Sequence, residues 1–235
     1  MLISLAKRIL IASSIVLTGS VLFSVVPVNA GCSDTPVPGV DWAKCRKRNV
    51  ILSEYNLTDA NLASADLSGS DVRNSRLKSA NLSKADITRT NFSRSDLSGA
   101  DLSKAEGTRA SFVSAKLIAT NFTKAAIFRS NFSSAFLNGA DFSKTELGRS
   151  DFSSASLTNT NFQFSNISRV NFEGALLNGA DFANAWLYRT NLNGVDLSEV
   201  FNITQNQIEL ACGDLNTKLP AGIVAPKSWP CPKDE

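Results

Sequence analysis

The sequence of 235 residues has no histidine, one methionine and two tyrosines. Without imidazole it lacks the commonest general base and the commonest transition-metal ligand, so Ser-His and Cys-His catalysis and imidazole-bound zinc are excluded. An excess of one charge is missing too, with 24 Lys and Arg against 21 Asp and Glu. So even a balance provides no overall field for gathering nucleic acid. There is no glycine-rich phosphate loop, and long apolar runs are confined to the first thirty residues. With 43% hydrophobic and 19% charged residues, the composition is that of an ordinary soluble chain for which neither metal nor cofactor is expected.

The first thirty residues read as an address. Lys7 and Arg8 are followed by an apolar run from Ile9 to Val26, and Val28-Asn29-Ala30 offers small residues for cleavage before Gly31. Eighteen apolar residues also suffice for a permanent membrane anchor, and Gly31-Cys32 invites a lipid anchor through Cys32, although Asn29 stands where lipoprotein signals favour leucine. Cleavage is the expectation, with export to a periplasmic or extracellular space and no stable membrane insertion afterwards. Export permits disulfides. Four cysteines allow three connectivities. The local pairs Cys32–Cys45 and Cys212–Cys231 are favoured because each closes a short loop at its own end of the chain.

Between those cysteine pairs runs one five-residue pattern. Stepping by five from Leu57 reaches Leu197 without insertion or deletion, through 29 units. The stepped residue is Leu at 15 of them, Phe at 9 and Ile at 3, with Val72 and Gly107 as exceptions. Two residues earlier stands Ala, Ser or Thr in 26 of the 29, and Asp or Asn often separates the two, as in Ala60-Asn61-Leu62 and Ala180-Asp181-Phe182. A period of five fits neither helix nor strand, and instead describes a solenoid whose units each bury one large and one small side chain.

This A-[DN]-[LF]-x-x pattern resembles the pentapeptide repeat family over about 150 residues. The resemblance implies an all-β fold: a right-handed quadrilateral parallel β-helix with four units per coil. The expected division is a signal peptide over 1–30, a disulfide-stapled N-terminal cap over 31–49, the β-helix over 50–199, and a C-terminal cap with a short helix over 200–235. Trp42 is expected over the first coil, and the repeat slips at Phe201-Asn202-Ile203. Thr204-Gln205-Asn206-Gln207 reads as a capping box, opening a helix to about Ala211 that Gly213 ends. The tail from Cys212-Gly213-Asp214 to Trp229-Pro230-Cys231 looks like tails that follow such repeats in some proteobacterial proteins.

A coil of twenty residues gives an unbroken leucine column from Leu57 to Leu197, and phenylalanine columns Phe92 to Phe172 and Phe122 to Phe182 on opposite walls. Gly107 is a missing core side chain, to be filled by its neighbours or met by local flattening of the coil. With the interior filled, function is left to the outer positions. Arg89, Arg109, Arg129, Arg149, Arg169 and Arg189 recur at intervals of twenty, and Lys84, Lys104, Lys124 and Lys144 form a second column. Between them run Asp66, Asp86, Glu106, Ala126, Glu146, Asn166 and Trp186, with Phe128, Phe164 and Tyr188 nearby. Like charges about 4.8 Å apart repel by roughly 0.9 kcal/mol in water before screening. Lateral pairing of the arginines with Asp86, Glu106 and Glu146 is the structural expectation. A wall that binds an unidentified protein or an anionic envelope component is the functional one.

Three function classes follow. The favoured one is an exported, non-catalytic scaffold or binding protein that presents this wall. The second is a nucleic-acid mimic inhibiting a DNA-binding enzyme of the gyrase type, as the resemblance suggests for cytoplasmic relatives; a basic-rimmed wall, and 22 basic against 21 acidic residues after position 30, argue against it. The third is an enzyme, for which the sequence supplies no catalytic residues. A second copy of the chain docking through an end cap is an alternative use of the ends. Seven Asn-x-Ser/Thr triplets, from Asn56 to Asn202, are by-products of the repeat.

Overall fold

Each five-residue unit brings five backbone N–H donors that need partners. In the computed structural model, which describes residues 31–230, the unit from Leu62 to Asp66 shows where they go. Leu62 donates to the Asn81 carbonyl (2.7 Å) and Ser64 to that of Ser83 (2.8 Å), both in the next coil. Asp66 donates back to Cys45 (2.9 Å), and Ala65 closes the corner onto Leu62 (3.0 Å). The fifth donor, on Ala63, is taken by the side chain of Asn61 (3.3 Å). That last bond gives Asp and Asn their place in the motif, since their short side chains accept from the N–H two residues on.

The expected signal peptide lies outside the described residues. From Asp41 onward, parallel bridges join residues twenty apart in four ladders, beginning Asp41↔Asn61, Arg46↔Asp66, Ile51↔Asp71 and Asn56↔Arg76. These ladders define the first to fourth walls. The bridges are isolated pairs rather than continuous strands, because a corner interrupts the chain after every one. The coil begins within the stretch expected to be a cap. Trp42 is 1% exposed and fills a core position of the first coil instead of lying over it. Lys47 breaks the apolar pattern at the next core position and sets its ammonium 3.6 Å from the centre of the Trp42 ring. Burial pushes the Lys47 pKa down, opposed by the charge of Asp34. Cys32 and Cys45 are disulfide-bonded, so the sulfur that a lipid anchor would need is already spent.

From Phe92 to Phe182 the core contains a pair of phenylalanine stacks. Phe112 and Phe132 stack at 4.7 Å between centroids, as do Phe122 and Phe142 at 4.6 Å, and the stacks meet edge to face, as at Phe132–Phe142 (5.7 Å, 89°). Aromatic pairs of this kind are worth about 0.5–1.5 kcal/mol beyond the area they bury. Buried hydroxyls reinforce the corners. Those of Ser75, Thr90, Thr120, Thr145 and Thr190 each donate to the carbonyl 23 residues earlier, at 2.6 to 2.9 Å. Ser and Thr can therefore replace Ala at the small position and stay satisfied when buried.

The repeat slips after Phe201, yet the coil goes on. Phe201 bridges Asp181 on the first wall, and Cys212 and Lys218 bridge Asn191 and Asp196 on the third and fourth. On the second wall a helix, α1 (Gln205–Leu210), takes the place of the bridge. Thr204 and Gln207 form its capping box, and the Gln207 amide also donates to the Phe182 and Ala185 carbonyls (2.8 and 2.9 Å). The helix stops at Ala211, before Gly213, because Ala211 returns to extended backbone to re-enter the coil. Gly213 serves packing instead, because a Cβ there would collide with the Trp229 ring, whose indole N–H donates to the Ala211 carbonyl (2.8 Å). The expected Cys212–Cys231 pair involves Cys231, which lies outside the described residues.

Gly107 is filled by its neighbour, as a Cβ there would stand 2.6 Å from Ile87 Cγ1. Gly107→Ala should cost about 1–3 kcal/mol by overpacking. Combined with Ile87→Ala it should cost less than the two single changes together in denaturant titrations, and additive losses would contradict this packing.

The corner bonds also set the response to acid. Burial opposes ionisation of Asp96, but the Ser98 hydroxyl and N–H (2.7 and 3.1 Å) and Lys78 outweigh it and hold the carboxyl below its usual range. At Asp181 burial is likewise outweighed, by Asn202, the Ala183 N–H and Gln163. Such depressed groups stabilise the fold fully above the unfolded value of about 3.9, and the contribution is lost as pH falls through the lower folded values. Stability should therefore decline below about pH 4. Ser98→Ala with Asn202→Ala should make that decline shallower when followed by circular dichroism.

Candidate functional site: a donor-rich corner

The arginine column stands at the corner after the second wall. All six residues have left-handed backbone, from φ 53° at Arg129 to 64° at Arg149. The lysine column, at the corner before that wall, is left-handed as well (φ 58–62°). A side chain is disfavoured in this region relative to glycine. The corner after the fourth wall shows the easier solution, with Gly99, Gly139 and Gly179 at its left-handed position. Backbone preference therefore does not account for the arginines.

The expected lateral pairing is not found. Among the described residues no carboxylate lies within 4.0 Å of the side-chain nitrogens of Arg89, Arg109, Arg129, Arg149 or Arg169, nor of Lys84, Lys104, Lys124 or Lys144. Two of the three acids expected to pair with the arginines are engaged elsewhere. Asp86 accepts from the Thr88 N–H (2.9 Å), and Glu146 accepts from the Asn166 amide in the next coil (2.8 Å). Lys144 instead places its ammonium 6.0 Å from the centre of the Phe164 ring.

The same corner carries unmatched backbone donors. From Glu106 upward the outward residue is Glu, Ala, Glu, Asn and Trp, so the short acceptor that serves the corner N–H along the first wall is lost at four of the five coils, as it is on the fourth wall at Lys116, Phe136, Ser156 and Leu176. Asn166 still accepts from Ser168 (3.1 Å). Among the described residues the N–H groups of Thr108, Phe128 and Gly148 have no acceptor. Donors thus outnumber acceptors along three successive coils.

These donors border an open groove of about 560 Å³. Gly148 and Ser168 form its floor, Phe128 and Tyr188 its two ends, and Arg129, Arg149 and Arg169 one edge. Trp186 stacks beyond Tyr188 at 6.5 Å, and both rings are half exposed. Of the residues singled out by sequence, the groove unites Arg129, Arg149 and Arg169 with Phe128, Asn166 and Tyr188. It leaves Arg89, Arg109, Arg189, Trp186 and the lysine column outside its lining. Gly148 and Ser168 escaped notice, although a glycine among Thr88, Thr108, Phe128, Ser168 and Tyr188 was a legible signal.

Two models of pentapeptide repeats match the chain. One, a pentapeptide repeat region, covers residues 105–182, and the other, eight copies of the repeat, covers 56–94, 85–124 and 165–201. Similar solved structures include HetL, a pentapeptide repeat protein involved in heterocyst differentiation regulation from the cyanobacterium Nostoc sp. strain PCC 7120. It is 25% identical over 80% of this chain and 86% of its own, with a TM-score of 0.45. QnrB1, a plasmid-mediated fluoroquinolone resistance protein, is 19% identical over 79% and 89%, with a TM-score of 0.40. A pentapeptide repeat protein from the Arabidopsis thaliana thylakoid lumen is 22% identical over 60% and 70%, with a TM-score of 0.28. No curated protein sequence matches.

Proposed function

Since the chain belongs to the pentapeptide repeat family, we propose that it is a non-catalytic binding protein of an exported compartment, which captures an anionic partner on the corner of its second wall. The observation that carries this reading is the row of guanidinium groups from Arg89 to Arg169 without a carboxylate partner. The first wall handles charge differently. Its outward residues alternate, as in Asp101, Asn121, Asp141, Asn161 and Asp181, and the Asn121 amide donates to Asp101 (3.0 Å). Charge repulsion is thus diluted on that wall and kept along the arginine and lysine columns flanking the second wall, where an anionic ligand can neutralise it.

Export and removal of the first thirty residues belong to this reading, as does the right-handed sense of the four-walled coil. The Cys32–Cys45 bond supports export, because such bonds are rare in reducing compartments. A basic corner argues against imitation of nucleic acid.

Replacing Arg129, Arg149 and Arg169 with Asn, which accepts left-handed backbone, should leave thermal stability nearly unchanged. It should abolish recovery of the partner when the protein is crosslinked in intact cell envelopes and purified. Undiminished recovery would discard the reading.

A further inference from the structure

Resting on that reading of the corner, we propose that the groove between Phe128 and Tyr188 seats an acidic glycan, a chain of sugar rings bearing carboxylates or sulfates. Gly148 is the first indication. Its φ is not in the positive region, and a Cβ added there would meet nothing closer than 3.5 Å, an ordinary contact with Ser168 Oγ. Neither the backbone nor packing calls for glycine, in contrast to Gly107, which lies against Ile87. What its missing side chain leaves is open space in the floor of the groove, in a column that otherwise carries Thr, Ser and aromatic residues.

The lining then sets the chemistry of the occupant. Three guanidinium groups and the N–H groups of Phe128 and Gly148 all donate, so the ligand must bring acceptors, and anionic ones gain most. The half-exposed rings of Phe128 and Tyr188 offer flat apolar faces on which the C–H face of a sugar ring can stack. An extended acidic peptide is disfavoured because the wall has no free edge to extend. The N–H groups of Ala126, Glu146, Asn166 and Trp186 are all spent on the coil below, at 2.8 to 2.9 Å, so strand addition is closed. Single-stranded nucleic acid also joins phosphates to stacking rings, but the Cys32–Cys45 bond points to an oxidising compartment, where glycans and not nucleic acids are the abundant polyanions. The coil rise of about 4.8 Å is close to the advance per ring in an extended glycan, which lets successive charges meet successive arginines.

Titration calorimetry on the purified full chain tests the proposal with four probes: a hexauronate, a sulfated hexasaccharide, an uncharged hexasaccharide and a single-stranded oligonucleotide. At least one acidic glycan should bind, more weakly as salt rises, and the relative affinity of the two identifies carboxylate or sulfate as the favoured group. Gly148→Phe, which fills the floor without altering charge, should weaken that binding about tenfold or more. Its melting temperature should stay near that of the parent, since the coil below already carries Phe128 at this position. Arg149→Asn with Arg169→Asn, at exposed corners, tests the same seat independently of that packing. Acidic glycans binding no better than the uncharged one would overturn the proposal, as would tighter binding of the oligonucleotide or unchanged affinity in both variants. If the arginine-dependent envelope partner were still recovered, the glycan assignment would fall while the binding wall stood.

Discussion

A hydrogen bond from a corner N–H to the side chain two residues before it is the contact on which this structure depends. A coil that turns every five residues leaves one donor per unit that neither the next coil nor the turn can satisfy, and along the first wall and most of the third the Asp or Asn ahead of the core residue takes it, as Asn81 does for Ser83 at 3.0 Å. With that donor settled, the rest of the backbone pairs from coil to coil, and the core stacks in register beneath it. The motif's three defined positions are thus three solutions to one problem: a large side chain fills the tube, a small one leaves room at the corner, and an acceptor closes the turn.

The fourth wall relaxes that rule at Lys116, Phe136, Ser156 and Leu176, and the candidate site arises where the relaxation coincides with the arginine column. Glu106, Ala126 and Glu146 replace the short acceptor, so the corner keeps its N–H groups unpaired, and arginines occupy the left-handed position beside them. Each departure costs a little in a solenoid whose stability is spread over many equivalent coils. That spread makes local sacrifice tolerable, and three adjacent coils making the same sacrifice concentrate donors in one place. The ends relax the rule in another way. Trp42 and Lys47 occupy core positions at the first coil, and α1 replaces a bridge at the last. The apolar rungs are thereby closed without a separate domain.

Much of this was legible in advance. The period of five, the twenty-residue coil, the two phenylalanine columns, the filling of Gly107 and the capping box at Thr204 follow from residue spacing, because a solenoid maps sequence distance directly onto space. The surroundings of the arginines were not. Nearness in the repeat suggests partners among Asp86, Glu106 and Glu146, but whether a carboxylate turns toward its own corner, toward the next coil or toward an arginine depends on side-chain geometry that period alone does not encode.

The sequence by itself determined the repeat, the contents of the core and the columns on the outer walls, since one inward residue in five leaves no other register for burying the chain. Tertiary structure decided what the columns do. Only stacking coils set Gly148 between Phe128 and Tyr188 across three rungs and left the corner donors unspent. Only the folded end showed that the tail rejoins the ladder at Cys212 and Lys218. Both outcomes depend on contacts between residues twenty or more apart, whose side chains choose among several acceptors only once the coils are in place.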